Sequence, residues 1–175
     1  YVEGYQGDLT SYDTVAACAK HYVGYGAALA GREYNTVDFS RRSLFQYYLK
    51  PFKAAIDADV KMVMTSFNVF EDVPVTANKY LLRDVLRDKL GFEGVVISDY
   101  TSSMEIMNHK IARTEKEVAQ KCIKAGLDHE MIYTSYVSEA SISQVSGMVF
   151  DEEQRFGLFV GYAVASCVEY DGAVN

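Results

Sequence analysis

The stretch Gly94-Val-Val-Ile-Ser-Asp99-Tyr100 decides how this chain of 175 residues is interpreted. Its run of Val and Ile is typical of a parallel strand that is buried on both faces, and the run ends on a single carboxylate. Catalytic groups of a β/α barrel lie where the strands end, at the C-terminal face. An Asp in this position also commonly caps the following helical turn, here through Thr101 or Ser102. Both interpretations of Asp99 start from the same predicted strand.

Three other segments have strand character. They alternate loosely or are rich in β-branched residues, and they run over residues 15–23, 61–67 and 127–131. The first of them ends near Lys20-His21. A loop rich in Gly and Tyr follows over residues 24–37, and a later loop carries Pro74.

Helical patterns separate these strands. Asp38 or Ser40 is placed to cap a helix that continues past residue 50, in which Pro51 is expected to kink or reset the turns. Asn78 caps a second helix over residues 79–90. Further patterns predict a helix over 115–125, capped by Thr114 with Glu117 in a capping box and closed by Gly126, and a last helix over 138–150.

Alternating strands and helices predict βα units and a parallel sheet. The pattern gives about four such units, whereas eight close a barrel. We therefore predict an α/β fold that is part of a (β/α)8 TIM-type barrel and is incomplete by itself.

Composition excludes several classes of protein. The net charge of -7 and the pI near 5.0 argue against a nucleic-acid partner, because no basic stripe is available to neutralise phosphates. No apolar run approaches the roughly 20 residues that span a bilayer. The three cysteines, Cys18, Cys122 and Cys167, have neither disulfide nor zinc spacing, and the first two are expected to be buried. The three histidines are far apart and show no metal-binding spacing.

Several motifs precede Asp99 in a fixed order. They are Lys20-His21, Gly31-Arg32-Glu33-Tyr34-Asn35 and Met64-Thr65-Ser66-Phe67-Asn68. In this order and spacing the set resembles the barrel domain of glycoside hydrolase family 3, the β-glucosidase family. The resemblance covers residues 1–131 and continues more weakly to Gly157-Leu158-Phe159. It implies the second half of that barrel, with a domain over residues 1–159 and a C-terminal tail over 160–175.

The resemblance assigns roles to the strand-end residues. Asp99 corresponds to the catalytic nucleophile, and Lys20 and His21 correspond to residues that bind sugar hydroxyls where cleavage occurs. A nucleophilic carboxylate must stay ionised, so Asp99 is expected to lie near positive charge or hydrogen-bond donors, and Lys20 could supply that field. Arg32 either contacts a sugar hydroxyl or holds its own loop through Glu33 or Asp38.

Other positions correspond to the lining of the sugar subsite or depart from the family pattern. Met64 either lines the subsite or packs in its strand. Phe67 stands where many members carry a Tyr that orients the nucleophile, which Phe cannot do. Tyr100 replaces the usual Trp and still offers an aromatic face to a sugar. Thr101-Ser102 replaces Gly-Ala, and Lys110 replaces the Gly of a His-Gly pair after His109.

The acid that would complete the reaction is not evident in this chain. Asp128 and Glu130 lie after the fourth predicted strand and could in principle protonate a leaving group, although Glu130 is commonly structural in the family. The resemblance places the general acid in a later domain, and an Asp and an Arg that grip the sugar in the first half of the barrel. The isolated chain is therefore expected to have little turnover.

The resemblance implies a retaining β-glycosidase that hydrolyses terminal non-reducing β-D-glucosyl residues from a β-linked glucoside or oligosaccharide. It implies no metal and no organic cofactor, and neither nucleic acid nor membrane as partner. A β-N-acetylhexosaminidase is disfavoured, because the loop Gly24-Tyr-Gly-Ala-Ala lacks the expected His. The alternative is a noncatalytic half-barrel or a self-associating sugar-binding scaffold, since open sheet edges favour association with the missing half or with another copy.

Overall fold

A computed structural model describes residues 1–131 of the chain. The main sheet has three parallel strands, in which Cys18–Tyr22 and Val95–Ile97 flank Met62–Thr65, and two further strands form a short antiparallel hairpin. The prediction of an α/β fold with a parallel sheet is confirmed. The strands are β1 (Cys18–Tyr22), β2 (Met62–Thr65), β3 (Val69–Phe70), β4 (Val73–Pro74) and β5 (Val95–Ile97).

Helices connect these strands. The α-helices are α1 (Val2–Gln6), α2 (Arg41–Ser43), α3 (Lys50–Asp57), α4 (Ser102–Asn108) and α5 (Glu115–Ala125). Two segments are π-helical, Leu44–Tyr48 and Tyr80–Lys89. Short 3₁₀ turns occupy Tyr25–Ala27, Leu29–Gly31 and Val75–Ala77.

The helix after β1 is reset before its proline, as predicted. Ser40, not Asp38, caps its start by accepting a hydrogen bond from the Ser43 amide at 3.1 Å. The Leu49 amide then donates to the Leu44 carbonyl, a five-residue step that marks the π-helical segment. Pro51 follows in the first turn of α3, where its missing N–H costs nothing.

The two later helices are capped as the sequence predicts. The Asn78 side chain accepts from the Leu81 amide at 3.1 Å, and the Thr114 hydroxyl accepts from the Glu117 amide at 3.2 Å. The Glu117 carboxylate reaches back to the Arg113 amide at 2.7 Å, one residue before the capping residue. The capping box at α5 is therefore confirmed, except that the Glu117 carboxylate accepts from the Arg113 amide and not from the Thr114 amide.

The helices cover one face of the sheet. Val63 of β2 and Val96 of β5 are fully buried on this face, in one apolar core with Leu82 and Leu86 of the second π-helical segment. Tyr22 at the end of β1 is also fully buried. These side chains drive the sheet and helices together through burial of apolar surface.

The opposite face of the sheet is incompletely covered. Cys18 is exposed and Val95 is 39% exposed. The expectation that Cys18 is buried is wrong, because it pairs in register with Met62, one position away from the Ala19–Val63 pair that turns toward the helices. Cys122 is fully buried, as expected. Cys167 lies outside the described residues.

The predicted fourth strand over residues 127–131 is reduced to a single parallel bridge between Ile97 and His129. The prediction of a full strand is wrong, because a side chain takes one of the ladder bonds. The Val96 amide donates to Asp128 Oδ2 at 2.7 Å, so no neighbouring backbone carbonyl accepts from it. The predicted helix over 138–150 and the tail over 160–175 lie outside the described residues.

Helix α4 and the hairpin of β3 and β4 are absent from the sequence prediction. Helix α4 buries Ser102 and Ser103 beside Ile106, so its buried side carries too few apolar residues to produce a helical pattern. Pro74, assigned to a loop, ends the two-residue strand β4. A proline is tolerated there because β4 is an edge strand of this two-stranded sheet.

Candidate active site

The carboxyl ends of β1, β2 and β5 lie at one edge of the sheet, since these strands are parallel neighbours. His21 lies in β1, Phe67 follows β2 and Asp99 follows β5. The strand β1 gains one residue relative to β2 between Ala19 and Tyr22. Such a bulge changes the direction of the side chains within it, here Lys20 and His21.

His21 and Asp99 meet at this edge. His21 Nε2 lies 3.2 Å from Asp99 Oδ2, and the two side chains are 28% and 15% exposed. The other carboxylate oxygen, Oδ1, accepts from the Tyr100 amide at 2.7 Å. The carboxylate is therefore held at both oxygens while part of it remains accessible.

The Asp99 side chain does not cap helix α4. Thr101 occupies the capping position without a side-chain hydrogen bond, and the Ser102 amide donates to the Asp99 backbone carbonyl at 3.1 Å. The capping interpretation of this carboxylate therefore has no support in the geometry. Its backbone holds the turn, and its side chain faces His21.

Lys20 does not pair with Asp99. Its side chain is exposed and forms no ion pair among the contacts of residues 1–131. The direct contact of Asp99 is the imidazole of His21, which the bulged end of β1 brings there. A longer-range field from Lys20 stays a prediction.

Arg32 is exposed on the loop that follows β1. Within the described part of the chain its side chain forms no ion pair with Glu33 or Asp38, the two partners that would have tied it to its own loop. The guanidinium is thus available to a ligand. The structure does not bring it into contact with Asp99.

Aromatic rings form a wall beside the His21–Asp99 pair. Phe67 packs edge-on to Tyr34 with ring centroids 4.4 Å apart, and it lies 6.1 Å from Tyr25, whose ring meets His21 edge-on at 5.3 Å. Partial burial raises the pKa of Tyr25, and the nearby acidic groups Glu33 and Asp99 act in the same direction. Tyr25 and Tyr34 were not predicted, although the Tyr-rich loop over residues 24–37 gave a signal.

The remaining predicted lining residues differ in exposure. Met64 is 7% exposed and Phe67 is 8% exposed, so both are largely packed, whereas the Tyr100 side chain is 57% exposed next to Asp99. Tyr100 can therefore offer its ring to a ligand at this edge without rearrangement of the core.

Asp128 and Glu130 are engaged elsewhere. Asp128 Oδ2 accepts from Arg87 Nη2 at 2.6 Å, and Glu130 is buried with a hydrogen bond from Ser103. Burial raises the pKa of Asp128, and Arg87 opposes that rise. Both carboxyl groups tie elements together and are poorly placed to donate a proton to a ligand.

The described part of the chain has neither a metal-binding cluster nor a helix that could span a membrane. No group of three or more His, Cys, Asp or Glu residues is arranged to hold a metal ion within residues 1–131. Among the helices of the same residues, none is both long and apolar enough to cross a bilayer.

Comparison with known proteins identifies relatives across most of the chain. Residues 1–154 match the model of the glycosyl hydrolase family 3 N terminal domain. The chain is 35% identical over 158 residues to a periplasmic beta-glucosidase of Salmonella typhimurium strain LT2, covering 83% of this chain and 21% of the relative. It is 38% identical over 147 residues to a beta-xylosidase of Formosa agariphila, covering 81% of this chain and 20% of the relative.

Solved structures give the same result. A beta-glucosidase from Listeria innocua superposes with a TM-score of 0.83 at 46% sequence identity, over 90% of this chain and 22% of that one. The same enzyme has been solved with glucose, and a mutant of it with laminaribiose. The chain thus spans about a fifth of the length of the relatives that it matches.

Proposed function

The chain belongs to glycosyl hydrolase family 3, and from that premise we propose that it carries the nucleophile of a retaining β-glycosidase. The observation that carries the proposal is the Asp99 carboxylate at the end of β5, held by the Tyr100 amide and facing His21 at 3.2 Å. Retaining hydrolysis needs such a carboxylate to attack the anomeric carbon while a second carboxyl group protonates the leaving oxygen.

Asp99 acts first as nucleophile in this proposal. Its attack forms a glycosyl–enzyme ester, which water then hydrolyses with a second inversion, so the β configuration is retained. The Tyr100 amide keeps one oxygen in place throughout. Phe67 has no hydroxyl to donate, so no side chain at position 67 shares this task. The general acid lies in a later part of the protein, outside the residues described.

His21, Lys20 and Arg32 bind the sugar in the same proposal. A glucosyl unit presents several hydroxyls, and donors fixed at strand ends can distinguish their positions. Lys20 and Arg32 are exposed and make no ion pair within residues 1–131, so their donors are available. The rings of Phe67 and Tyr100, with Met64, supply the apolar side of the subsite.

The proposed substrate is a terminal non-reducing β-D-glucosyl residue of a glucoside or oligosaccharide. The names of the relatives support a β-linked sugar and divide between glucose and xylose. The two sugars differ by one hydroxymethyl group. The ratio of kcat/KM for p-nitrophenyl β-D-glucoside and β-D-xyloside measures the preference directly, and a ratio below one would replace glucose by xylose in the proposal.

A covalent trap tests the nucleophile. A 2-deoxy-2-fluoro-β-glucoside with a good leaving group slows the second step more than the first, so the glycosyl ester accumulates. We expect the natural protein to gain one fluoroglucosyl mass, and peptide mapping to place it on Asp99. Asp99→Asn should block labelling, whereas Asp88→Asn on an exposed helix position should not. A label on another residue would refute the assignment of Asp99.

We also propose that residues 1–159 are the second half of a (β/α)8 barrel, followed by a tail over 160–175. The exposed side chains of Cys18 and Val95 on the face away from the helices support a further layer there. The intact denatured mass of the natural protein, compared with 19.6 kDa, tests whether more chain exists. A thiol label that reaches Cys18 no faster than the buried Cys122 would indicate that this face is covered.

The same exposed face favours a second candidate, a noncatalytic half-barrel that associates with another copy through its open sheet. A natural mass near 19.6 kDa with a dimer by light scattering would support it. If the natural protein hydrolyses a β-glycoside and Asp99→Asn does not, the glycosidase is favoured over the noncatalytic half-barrel, whatever the natural mass.

A further inference from the structure

Three buried hydroxyls connect β2 to the turn that carries Asp99. Thr65 ends β2, Thr76 lies in the helical turn Val75–Ala77, and Ser102 begins α4. The Oγ1 atoms of Thr65 and Thr76 are 3.1 Å apart, and Thr76 Oγ1 donates to Ser102 Oγ over 3.0 Å. The three residues are 0%, 1% and 2% exposed. We call them the hydroxyl chain.

Thr76 is the middle of this chain. A hydroxyl has one proton, so Thr76, which donates to Ser102, accepts from Thr65. A buried hydroxyl without a partner is unfavourable, because it has lost its hydrogen bonds to water. Removal of the Thr76 hydroxyl therefore leaves a donor on Thr65 and an acceptor on Ser102 without their partner.

The turn at the far end of the chain needs such an anchor. Thr101, between Asp99 and α4, has a left-handed backbone with φ of 58°, which is unfavourable for a β-branched residue. The start of α4 has no side-chain cap. Ser102 binds the Asp99 carbonyl through its amide and the hydroxyl chain through its side chain, so it joins the turn to the core.

The near end of the chain reaches the strand of His21. Thr65 is paired in register with Tyr22, the residue that follows His21 in β1. The hydroxyl chain therefore links the strand that carries the imidazole to the turn that carries the carboxylate. The distance between His21 and Asp99 depends on the positions of that strand and that turn.

We propose that Thr76 is a positioning residue of the site: through Thr65 and Ser102 it holds the Asp99 turn where the carboxylate meets His21. Its effect on catalysis rests on the proposed function. Its anchoring of the turn does not, because the contacts that hold Ser102 exist without any substrate.

The test compares Thr76→Val with Thr76→Ser in the natural protein. Valine keeps the shape and removes the hydroxyl, whereas serine keeps the hydroxyl. We expect Thr76→Val to lower kcat for p-nitrophenyl β-D-glucoside about tenfold to a hundredfold, as small displacements of reacting groups do, with a smaller change in KM. We expect the Ser102 amide to exchange faster with deuterium in the valine variant, and Thr76→Ser to restore both properties.

Two further variants separate positioning from loss of stability. Thr114→Val removes a hydroxyl that caps α5 away from Asp99, and it should leave kcat unchanged in the folded protein. Ser102→Ala removes the hydroxyl at the far end of the hydroxyl chain. It replaces Thr76→Val in the test if that variant does not fold. It should reproduce the fall in kcat and the faster exchange around residues 101–104.

The outcomes distinguish this proposal from the proposed function. Unchanged exchange at Ser102 in Thr76→Val would overturn the anchoring role, whether or not the protein is active. Faster exchange with unchanged kcat would overturn the positioning role in an active enzyme. If the parent protein hydrolyses no β-glycoside, the proposed function fails while the exchange measurement still decides the anchoring.

Discussion

At the N-terminal edge of the sheet Arg87 binds Asp128, whereas at the C-terminal edge His21 contacts Asp99, and these two contacts have different surroundings. Arg87 also donates to the carbonyls of Phe92 and Gly94 just before β5. The Asp128 carboxylate also accepts from the Val96 amide. This pair thus connects a helix, a strand and the segment after α5.

Gln6 also connects backbone segments at the same N-terminal edge. Its amide nitrogen donates to the Asp59 carbonyl, and its oxygen accepts from the Ala17 and Lys61 amides just before β1 and β2. The C-terminal edge is less completely bonded. Among residues 1–131 the buried Asn68 Oδ1 has no partner there.

Under the proposed function, this difference separates an edge that stabilises the fold from an edge that binds the sugar. Groups that bind each other rigidify the fold, while groups that remain available can bind a ligand at some cost in stability. The same division is general in β/α barrels, where the C-terminal face carries the active site. Substitutions at the two edges should therefore separate activity from stability.

The largest effect is expected at Asp99. Asp99→Asn removes the proposed nucleophile and should lower kcat by on the order of 10⁴-fold, the scale seen when a central catalytic group is lost. The free energy of unfolding should change by about 1 kcal/mol or less, because the lost contact with His21 is partly exposed. Steady-state kinetics and urea unfolding measure the two quantities. A large loss of stability would mean that Asp99 mainly stabilises the fold.

The second effect is expected at Asp128. Asp128→Ala leaves the Arg87 guanidinium and the Val96 amide without this acceptor, and should lower the free energy of unfolding by about 2–4 kcal/mol. Urea unfolding measures it. Asp57→Ala, which breaks only an exposed pair with Lys53 on α3, is the matched control and should cost at most about 0.5 kcal/mol. A similar cost for both variants would contradict the difference between the edges.

The smallest effect is expected at Lys110, after the C-terminal end of α4. Its φ of 62° is left-handed, so the turn that usually contains Gly is kept with a strained Lys. Lys110→Gly should raise the free energy of unfolding by about 0.5–1 kcal/mol, since relief of strain exceeds the entropy that glycine adds to the unfolded chain. Thermal unfolding measures the gain, and kcat should not change. A loss of stability would mean that the Lys side chain has a role of its own.

Local patterns predicted much of this molecule. The strands that became β1, β2 and β5, the caps at Ser40, Asn78 and Thr114, and the reset before Pro51 all follow from residue periodicity and short-range hydrogen bonding. Each of these features depends on residues fewer than about five positions apart. The caps form locally, whereas the strands follow local patterns but form by pairing with strands far away in the chain.

The predictions that failed share a cause, which is contact between residues far apart in the chain. Helix α4 escaped prediction because serines fill its buried side and bind partners from other elements. The strand over residues 127–131 was overestimated because the Asp128 side chain takes the Val96 amide. Cys18 was expected inside because its neighbours are apolar, although its strand face is not covered by the helices.

The family, the parallel α/β fold and the strand-end position of Asp99 follow from residue patterns, because they depend on the order and spacing of residues along the chain. Folding brings His21 rather than Lys20 into contact with Asp99, and it links β2 to the turn of that carboxylate through Thr65, Thr76 and Ser102. The physical reason is that hydrogen bonds and ion pairs depend on distances of a few ångströms between residues far apart in the chain, and packing sets those distances.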